Sequence, residues 1–506
     1  MAEAAGESAL NRAMRIYARL DARRSDIDTA EDYYSGEQKL TFATKEWLDA
    51  NGARFSGFSD NWCATVSNSE AERLAHTGIK YRDAQGDLDT FGRKADQYGR
   101  ETWDEWLRNE MDAQQSQGIL TTLNARRSFV SVWTRDDGEH ASYEWEHPAN
   151  VEVEYDWMNP RLRSAAIKTW LDDTHEYMLL DDGEFLWKWR RKRGDTTDEK
   201  LPQSEQAHAR QSGSRDGWEA WQPRTDMVWP IPNPIGEVSF VELPNRPLLR
   251  GEPVSEIEGV MPMQDAINIL WAYLFHAADF ASMPARVLTG TTPPMRKILD
   301  KDGKVIGETP ITMKEINEAR IAVFGSETAK IDQWDPARLD PFTDVIEVAV
   351  GHIAAQTRTP PHYLVANKGI SNLSGDALKS AEIGLVKKAI EFQRFATPAL
   401  REVHRLGHLV RGNKGLADAT QFATLTWANP EIRSEAELSD SLVKKRSIGY
   451  PIKYLMELDG VSPNDMERIQ RMIDEERAAD PLGNALRDMG GSDDPASDRD
   501  SLPAAA

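Results

Sequence analysis

Few residues in this sequence are spaced as catalytic or ligand-binding groups usually are. A phosphate-binding loop needs a glycine-rich turn followed by lysine and a hydroxyl residue, so that backbone N–H groups and an ammonium surround the phosphates. The nearest stretch, Gly369-Ile-Ser-Asn-Leu-Ser-Gly375, has Asp376 where that lysine would be and the wrong glycine spacing. His404 and His408 stand one helical turn apart and could share a metal ion, but the glutamate of a zinc hydrolase is missing and no third ligand is suggested nearby. They read instead as surface or interface histidines. Ser441 and Lys444 have the serine–lysine spacing of some acyl transferases, without the other motifs such enzymes carry. The pairs Asp136-Asp137, Asp172-Asp173 and Asp181-Asp182 each fall at a predicted turn, where aspartate forms the turn more often than it binds metal. The 16 tryptophans sit in predicted strands and on helix faces, which argues for packing and subunit contacts rather than a sugar or nucleotide cleft. No catalytic residue, metal site or cofactor is expected.

The scaffold that would position any site is large. A chain of 506 residues exceeds what one hydrophobic core usually holds, so several compact regions are expected. With 40% hydrophobic and 28% charged residues it has the composition of a globular protein. The most apolar run, Ala266 to Phe275, is closed by His276 and Asp279, well short of the roughly 20 residues a membrane span needs. The N-terminus lacks a basic region followed by an apolar one, so neither a secretory signal nor a membrane partner is expected. Cys63 is the only cysteine, which rules out an intramolecular disulfide and fits a reducing cytoplasm. The formal charge of −22 is not that of a protein gripping DNA by its phosphates. Two readings stay open: acidity keeps a large protein soluble, or an acidic wall lets a polyanion slide past without sticking.

Along the chain, apolar residues from Leu10 to Leu20 have helical spacing, and Ser69-Glu-Ala-Glu72 and Thr102-Trp-Asp-Glu105 read as capping boxes opening helices. From Phe129 the pattern turns to strands: Phe129–Trp133, Val151–Tyr155, Ala165–Trp170, Tyr177–Leu180 and Phe185–Trp189, with a hairpin turn at Asp182-Gly183. Arg190-Arg-Lys-Arg193 leads into a polar stretch and reads as a solvated edge, with a nucleic-acid or acidic-partner contact as the alternative. Prolines at 230, 232, 234, 244 and 247 mark an extended connection. Ser255-Glu-Ile-Glu258 then caps a helix that ends before Pro284. A small insert follows, with predicted strands at Ala285–Thr289 and Ile321–Phe324 and a helix capped by Thr312. A second helix runs from about Phe342 to Thr357 and stops at Pro360-Pro361. After a loop, a longer helix spans Gly375 to Val410. Its stripe of Leu378, Ala381, Leu385, Ala389, Phe392, Ala396, Ala399, Val403, Leu406 and Val410 steps by threes and fours, and Pro398 is expected to kink it. Further helix follows Ser434-Glu-Ala-Glu437, and disorder is expected from Asp480.

Four places carry a family resemblance. They are Asp32-Tyr-Tyr-Ser-Gly36 with Asn68-Ser-Glu-Ala-Glu-Arg-Leu74; Pro244-Asn-Arg-Pro247 leading to Gly251-Glu-Pro-Val-Ser-Glu-Ile257 and Gln264-Asp-Ala-Ile-Asn268; Thr359-Pro-Pro-His-Tyr-Leu364; and Ser374-Gly-Asp-Ala-Leu-Lys379. In this order and at these separations, over roughly residues 10 to 480, the chain resembles the portal proteins of tailed double-stranded DNA bacteriophages, in the long-tailed version common among actinobacterial phages.

The resemblance implies a multidomain α+β portal fold that assembles into a ring, a dodecamer in the virion. Residues 1–250 would form a wing, 251–283 a first stem helix, 284–338 an α+β clip, and 339–360 a second stem helix. Residues 361–375 would hold the tunnel loop, 376–431 the long wing helix and its return, 432–480 a helical crown, and 481–506 a disordered acidic tail. The tunnel loop Asn367, Lys368, Gly369, Ile370, Ser371, Asn372, Leu373 and Ser374 would face the DNA, with Lys368 giving a weak phosphate contact. Asp265 and Asp279 would line the stem channel and keep it non-adhesive, and Arg296, Lys297, Lys301 and Lys304 would lie on the docking clip. Implied partners are other copies of the chain, passing double-stranded DNA, the terminase large subunit, the head–tail adaptor, and the major capsid and scaffolding proteins. Assembly would take place in the host cytoplasm and the product would sit at one capsid vertex. A helix–insert–helix order supports a ring on its own, because an insert held away from its subunit makes sense when copies pack side by side. The alternatives are another virion structural protein (capsid or baseplate) and a phage-encoded hydrolase, which would need carboxylates or histidines clustered around one cleft.

Overall fold

The computed structural model describes residues 2–39, 58–81, 93–135, 137–193, 217–222, 228–282, 286–289, 295–299, 304–310, 330–333, 338–364, 375–431, 435–459, 461 and 463–479. The chain divides into two compact units: Met1–Glu31, Thr65–Glu258 and Leu373–Ala506 form the larger, and Asp32–Ala64 and Gly259–Asn372 the smaller. Helix and strand are mixed in both. Among the described residues no helix is long and apolar enough to cross a membrane.

Fifteen strands, numbered β1 to β15 in chain order, are described. In the larger unit, strands β4 (Val151–Tyr155), β5 (Arg163–Leu171), β6 (His175–Asp181) and β7 (Phe185–Lys192) form an antiparallel meander, extended by the short β8 (Glu219–Ala220) and β9 (Ile231–Pro232) on β7. The β6–β7 turn is the expected hairpin. Gly183 takes φ +86° there, a left-handed conformation that costs glycine little. One face of this sheet presents Ala165, Ile167, Met178, Leu180, Trp187 and Trp189 to Ala13, Ile16, Tyr17 and Leu20 of the helix Ala2–Ser35. That helix is much longer than the Leu10–Leu20 reading. Arginines beyond Leu10 hold it to the sheet: Arg12 and Arg15 each reach Glu154 at 2.8 Å, and Arg23 reaches Glu152 at 2.5 Å.

A second core lies under β2 (Arg127–Thr134), flanked by β3 (Ala141–Glu146) and β10 (Phe240–Pro244). The helices Arg93–Arg108, Met111–Asn124 and Gly375–Val410 pack there with Leu416 and with Ile79 and Leu425, which pair across β1 (His76–Lys80) and β15 (Thr424–Trp427). The long helix has 36 residues, about 54 Å, and buries Leu385, Ala389, Phe392, Ala396, Leu400, Val403 and Leu406, close to the expected stripe. It continues through Pro398. Gly407 leaves the space that the Tyr143 hydroxyl occupies, so a Cβ there would collide with it.

Two capping boxes are not caps. Ser69 lies near the end of the helix Trp62–Ala71 and donates to the Val66 carbonyl at 2.9 Å; Thr102 lies inside Arg93–Arg108 and donates to Tyr98 at 2.7 Å. Hydroxyl residues can bond a carbonyl one turn back, so the pattern also occurs inside helices. Ser255 behaves as expected, with its Oγ accepting from Ile257 N at 3.3 Å ahead of the helix Met261–Ser282.

The smaller unit is built on Met261–Ser282 and Asp340–Thr357, which pack together. Between them β11 (Arg286–Thr289) pairs with β14 (Lys330–Gln333), and β12 (Met295–Leu299) forms a hairpin with β13 (Val305–Pro310). The strand expected at Ile321–Phe324, the helix capped by Thr312 and the C-terminal tail lie outside the described residues. Three more helices, Glu435–Ser447, Ile452–Leu458 and Pro463–Ala479, follow β15.

Candidate functional site

The residues that could do chemistry by type are used for packing and turns. His404 and His408 are buried rather than at the surface. His404 Nε2 lies 3.2 Å from His76 Nε2. The Tyr81 hydroxyl joins His408 Nε2 at 3.0 Å, Thr102 Oγ1 at 2.9 Å and Thr420 Oγ1 at 3.0 Å. Burial lowers His76 and His408 to about 4 and His404 well below its ordinary value, so all three are neutral in the fold. The signal was their position beside Val403 and Leu406 on the apolar stripe. Among the described residues no three His, Cys, Asp or Glu side chains are placed to hold a metal ion.

The aspartate pairs shape turns. Asp172 accepts from Thr174 N at 2.7 Å and from the Tyr177 hydroxyl at 2.6 Å, and these bonds hold its carboxyl well below the usual range. Asp182 accepts from Phe185 N at 2.7 Å. Asp181 is buried and takes Ser239 N at 2.7 Å and Ser239 Oγ at 2.6 Å. Lys444 pairs with Asp440 at 2.5 Å rather than with Ser441. The basic run at 190–193 closes strand β7, with Lys192 and Arg193 exposed as a solvated edge would be and Arg191 turned inward. Arg191 is buried against Glu176 at 2.7 Å, and Arg190 meets Glu219 at 2.7 Å.

A buried charge cluster escaped the sequence reading. Lys388, on the long helix, reaches Glu70 at 2.9 Å and Glu256 at 2.5 Å, and all three are almost fully buried. Glu256 also accepts from Arg246 at 2.8 Å and Asn245 Nδ2 at 2.9 Å. Burial lowers the Lys388 ammonium but the two carboxylates more than reverse this, so it is raised. The separate blocks around 68–74, 244–257 and the long helix therefore meet at one joint within the larger unit. Nothing in hydrophobic periodicity marks it, because Lys388 replaces an apolar residue on a buried face.

In the smaller unit, Gln264 and Asn268 clamp the segment before the helix Trp62–Ala71. Gln264 Oε1 accepts from Trp62 N at 2.8 Å, its Nε2 donates to the Asp60 carbonyl at 2.6 Å, and Asn268 Oδ1 accepts from Asp60 N at 3.0 Å. Trp271 Nε1 donates to the Asp60 carboxylate at 2.7 Å. Asp265 belongs to this interior. It is 6% exposed and accepts from the Tyr33 hydroxyl at 2.7 Å, which corrects its assignment to a channel wall: an enclosed carboxylate does not face a passing polyanion. The Tyr33 hydroxyl is in turn pushed up, by burial first and then by Asp265.

The second helix, Asp340–Thr357, buries Ile346, Ala349, Val350, Ile353 and Ala354 and leaves Val345 and Val348 exposed. It ends in a left-handed Arg358 (φ 56°) before Thr359-Pro360-Pro361. Arg296, Lys297 and Lys304 are exposed on the β12–β13 hairpin. Lys301 and the whole of Asn367–Ser374, Lys368 included, lie outside the described residues, as does the side chain of Asp279.

Residues 14–481 match the family described as "Phage portal protein, SPP1 Gp6-like". The chain belongs to the phage portal protein family. Portal proteins of two mycobacterial phages are similar to it: that of Mycobacterium phage L5 is 25% identical over 435 residues, covering 82% of this chain and 78% of that protein. That of Mycobacterium phage D29 is 25% identical over 433 residues, covering 82% and 79%. In a portal protein, the helix–insert–helix segment and the blocks at 68–74 and 244–268 gain a shared context, since each lies within the matched region.

Proposed function

We propose that this portal-family chain is one subunit of a ring at a single capsid vertex, through which double-stranded DNA is packaged and later leaves. It is a structural component of the virion and not an enzyme. The observation that carries the reading is the pair of helices Met261–Ser282 and Asp340–Thr357 around a small β insert. Exposed Val345 and Val348 suit a helix flanked by neighbouring copies, because apolar side chains left on a subunit's surface favour association.

In this reading the helices are barrel staves, the insert is a second ring, and the subunit number is twelve by analogy with the family. Arg296, Lys297 and Lys304, with Lys301, give the insert a cationic face for the terminase large subunit and afterwards the head–tail adaptor. The net charge of −22 keeps the passage non-adhesive, with Asp279 as a stem carboxylate, while Lys368 offers one weak phosphate contact per subunit. The wing and crown meet the major capsid and scaffolding proteins, and no membrane takes part. A phage carrying Lys368→Glu tests the loop assignment: proheads should assemble while packaged DNA falls several-fold. Normal packaging would remove the loop from the account.

A further inference from the structure

Large apolar side chains in solvent are ordinary when scattered and informative when gathered, because a contiguous apolar patch marks a surface that something else covers. In the larger unit they gather at one groove of about 1540 Å³, lined by the β4–β5 loop, the turn of the β6–β7 hairpin, strand β10 and the long helix. Its lining falls within residues 137–193, 228–282 and 375–431. Tyr155, Leu162, Val241, Phe395, Pro398 and Ala399 give it an apolar surface. Two of its loops carry more. The β4–β5 loop contributes Pro160 and Leu162 to the lining and leaves Trp157 87% and Met158 75% exposed. The loop after β10 contributes Pro247 and leaves Leu248 and Leu249 more than half exposed. Neither loop is slack. Asp156 Oδ1 accepts from Met158 N and Asn159 N at 2.8 Å each, and Asp156 N donates to the Leu162 carbonyl at 2.8 Å. Asn245 Nδ2 donates to the Val254 carbonyl at 2.8 Å, and Val254 N donates to the Asn245 carbonyl at 3.0 Å. Anchors on loops that are already ordered lose little entropy when a partner covers them.

Charge says what kind of partner fits. Two of the arginines in the lining are already spent: Arg163 reaches Glu402 at 2.5 Å, and Arg405 reaches Glu402 at 2.7 Å and Glu237 at 3.1 Å. Glu242 is paired by Arg127, which is not part of the lining, at 2.9 Å. Among the described lining residues one cation, Arg161, is left to set against Asp182 and Glu184. The groove is thus apolar with an acidic border. Such a surface repels DNA, and it offers no long-range attraction to a second copy whose own net charge is −22. We propose that this groove is a docking site for a short segment of another protein in which lysine or arginine flanks large apolar side chains. Trp157 and Leu249 anchor the apolar residues of that segment, as exposed tryptophan on a firm loop suits a hot spot. Glu184 and the half-exposed Glu237 meet its cations, which speeds encounter and rejects acidic competitors. The site is complete within one subunit, so it goes beyond the ring reading and does not depend on it.

The probes are short overlapping synthetic peptides that tile the other structural proteins of the same phage, with tiles of this chain beside them. Their binding to the full-length protein is read by fluorescence anisotropy. Peptides that carry lysine or arginine beside large apolar residues are expected to bind, and Trp157→Ala or Leu249→Ala to weaken them about tenfold. Glu184→Lys should weaken the same peptides several-fold, most at low salt. All three side chains are exposed, so the variants should keep the wild-type melting temperature and a loss of binding is not a loss of fold. The site is overturned if no tile binds, or if the three variants bind as the wild type does. A preference for acidic peptides would contradict the partner's chemistry, and tightest binding by tiles of this chain would replace it with a second copy. Failure of the ring reading looks different: a chain that stays single and still binds these peptides keeps the groove and loses the ring.

Discussion

Lys388 places its ammonium between Glu70 and Glu256 where no water can share the charge. Removing one partner of such a cluster leaves uncompensated buried charge, so Lys388→Met is expected to cost about 3–5 kcal/mol in denaturant unfolding. Adding Glu70→Gln and Glu256→Gln to that variant should restore a large part of the loss, and a triple variant as weak as the single would contradict the cluster's role. Burial pushes the Glu70 carboxyl up to about 7, with Lys388 pulling it down. The fold therefore keeps a proton there that the unfolded chain has released, and this group's contribution to stability falls as pH rises from about 4.5 to about 7. Glu70→Gln should gain on wild type in melting temperature across that window; a constant difference would refute the assignment. His76 and His408, lowered by burial to about 4, act in the opposite sense. The unfolded chain takes up protons below about 6.5 that the fold refuses, so their contribution is lost as pH falls from there towards about 4.

The helices that matter most were legible in the sequence. Capping at Ser255, the stop at Pro284, the stop at Pro360-Pro361 and the regular stripe from Leu378 locate three helices close to where the structure has them. Strands β4 to β7 were legible because alternation and the Asp182-Gly183 turn agree. What could not be read depends on contacts distant in sequence. The N-terminal helix continues past Leu20 because its arginines find carboxylates on β4, and Asp265 is interior because Tyr33 comes to meet it. Ser69 and Thr102 show that a local pattern can serve the middle of a helix as well as its start. The helix Asp340–Thr357 carries its own prediction. Val348 is exposed in the subunit, so Val348→Asp should leave its unfolding within about 0.5 kcal/mol of wild type. The same variant should shift the native mass distribution from large assemblies towards single subunits, and unaltered assembly would remove this helix face from the subunit contact.

At the scale of the molecule, neither compact unit is continuous in the chain. The larger takes three separate stretches and the smaller two, with Asp32–Ala64 joining residues more than two hundred positions later through the Gln264 and Asn268 clamp. Reading residues 1 to 250 as one contiguous stretch misses this, because the segment is held by single polar contacts, to the backbone of Asp60 and Trp62 and to the side chains of Asp60 and Tyr33, that leave no composition signal. Acidity is likewise a property of the whole. A net charge of −22 repels both other copies and DNA, so the proposed ring requires apolar and locally complementary contacts between subunits, and the same charge suits the proposed non-adhesive passage. The most direct test of this account is the mass and shape of the assembled protein, by native mass measurement and single-particle electron microscopy. The account expects closed rings of about a dozen copies of the 57.0 kDa chain, with a central hole of roughly 20 Å or more, wide enough for a duplex to pass. A chain that stays monomeric even when co-expressed with its capsid protein, or that forms particles without a central hole, would contradict it.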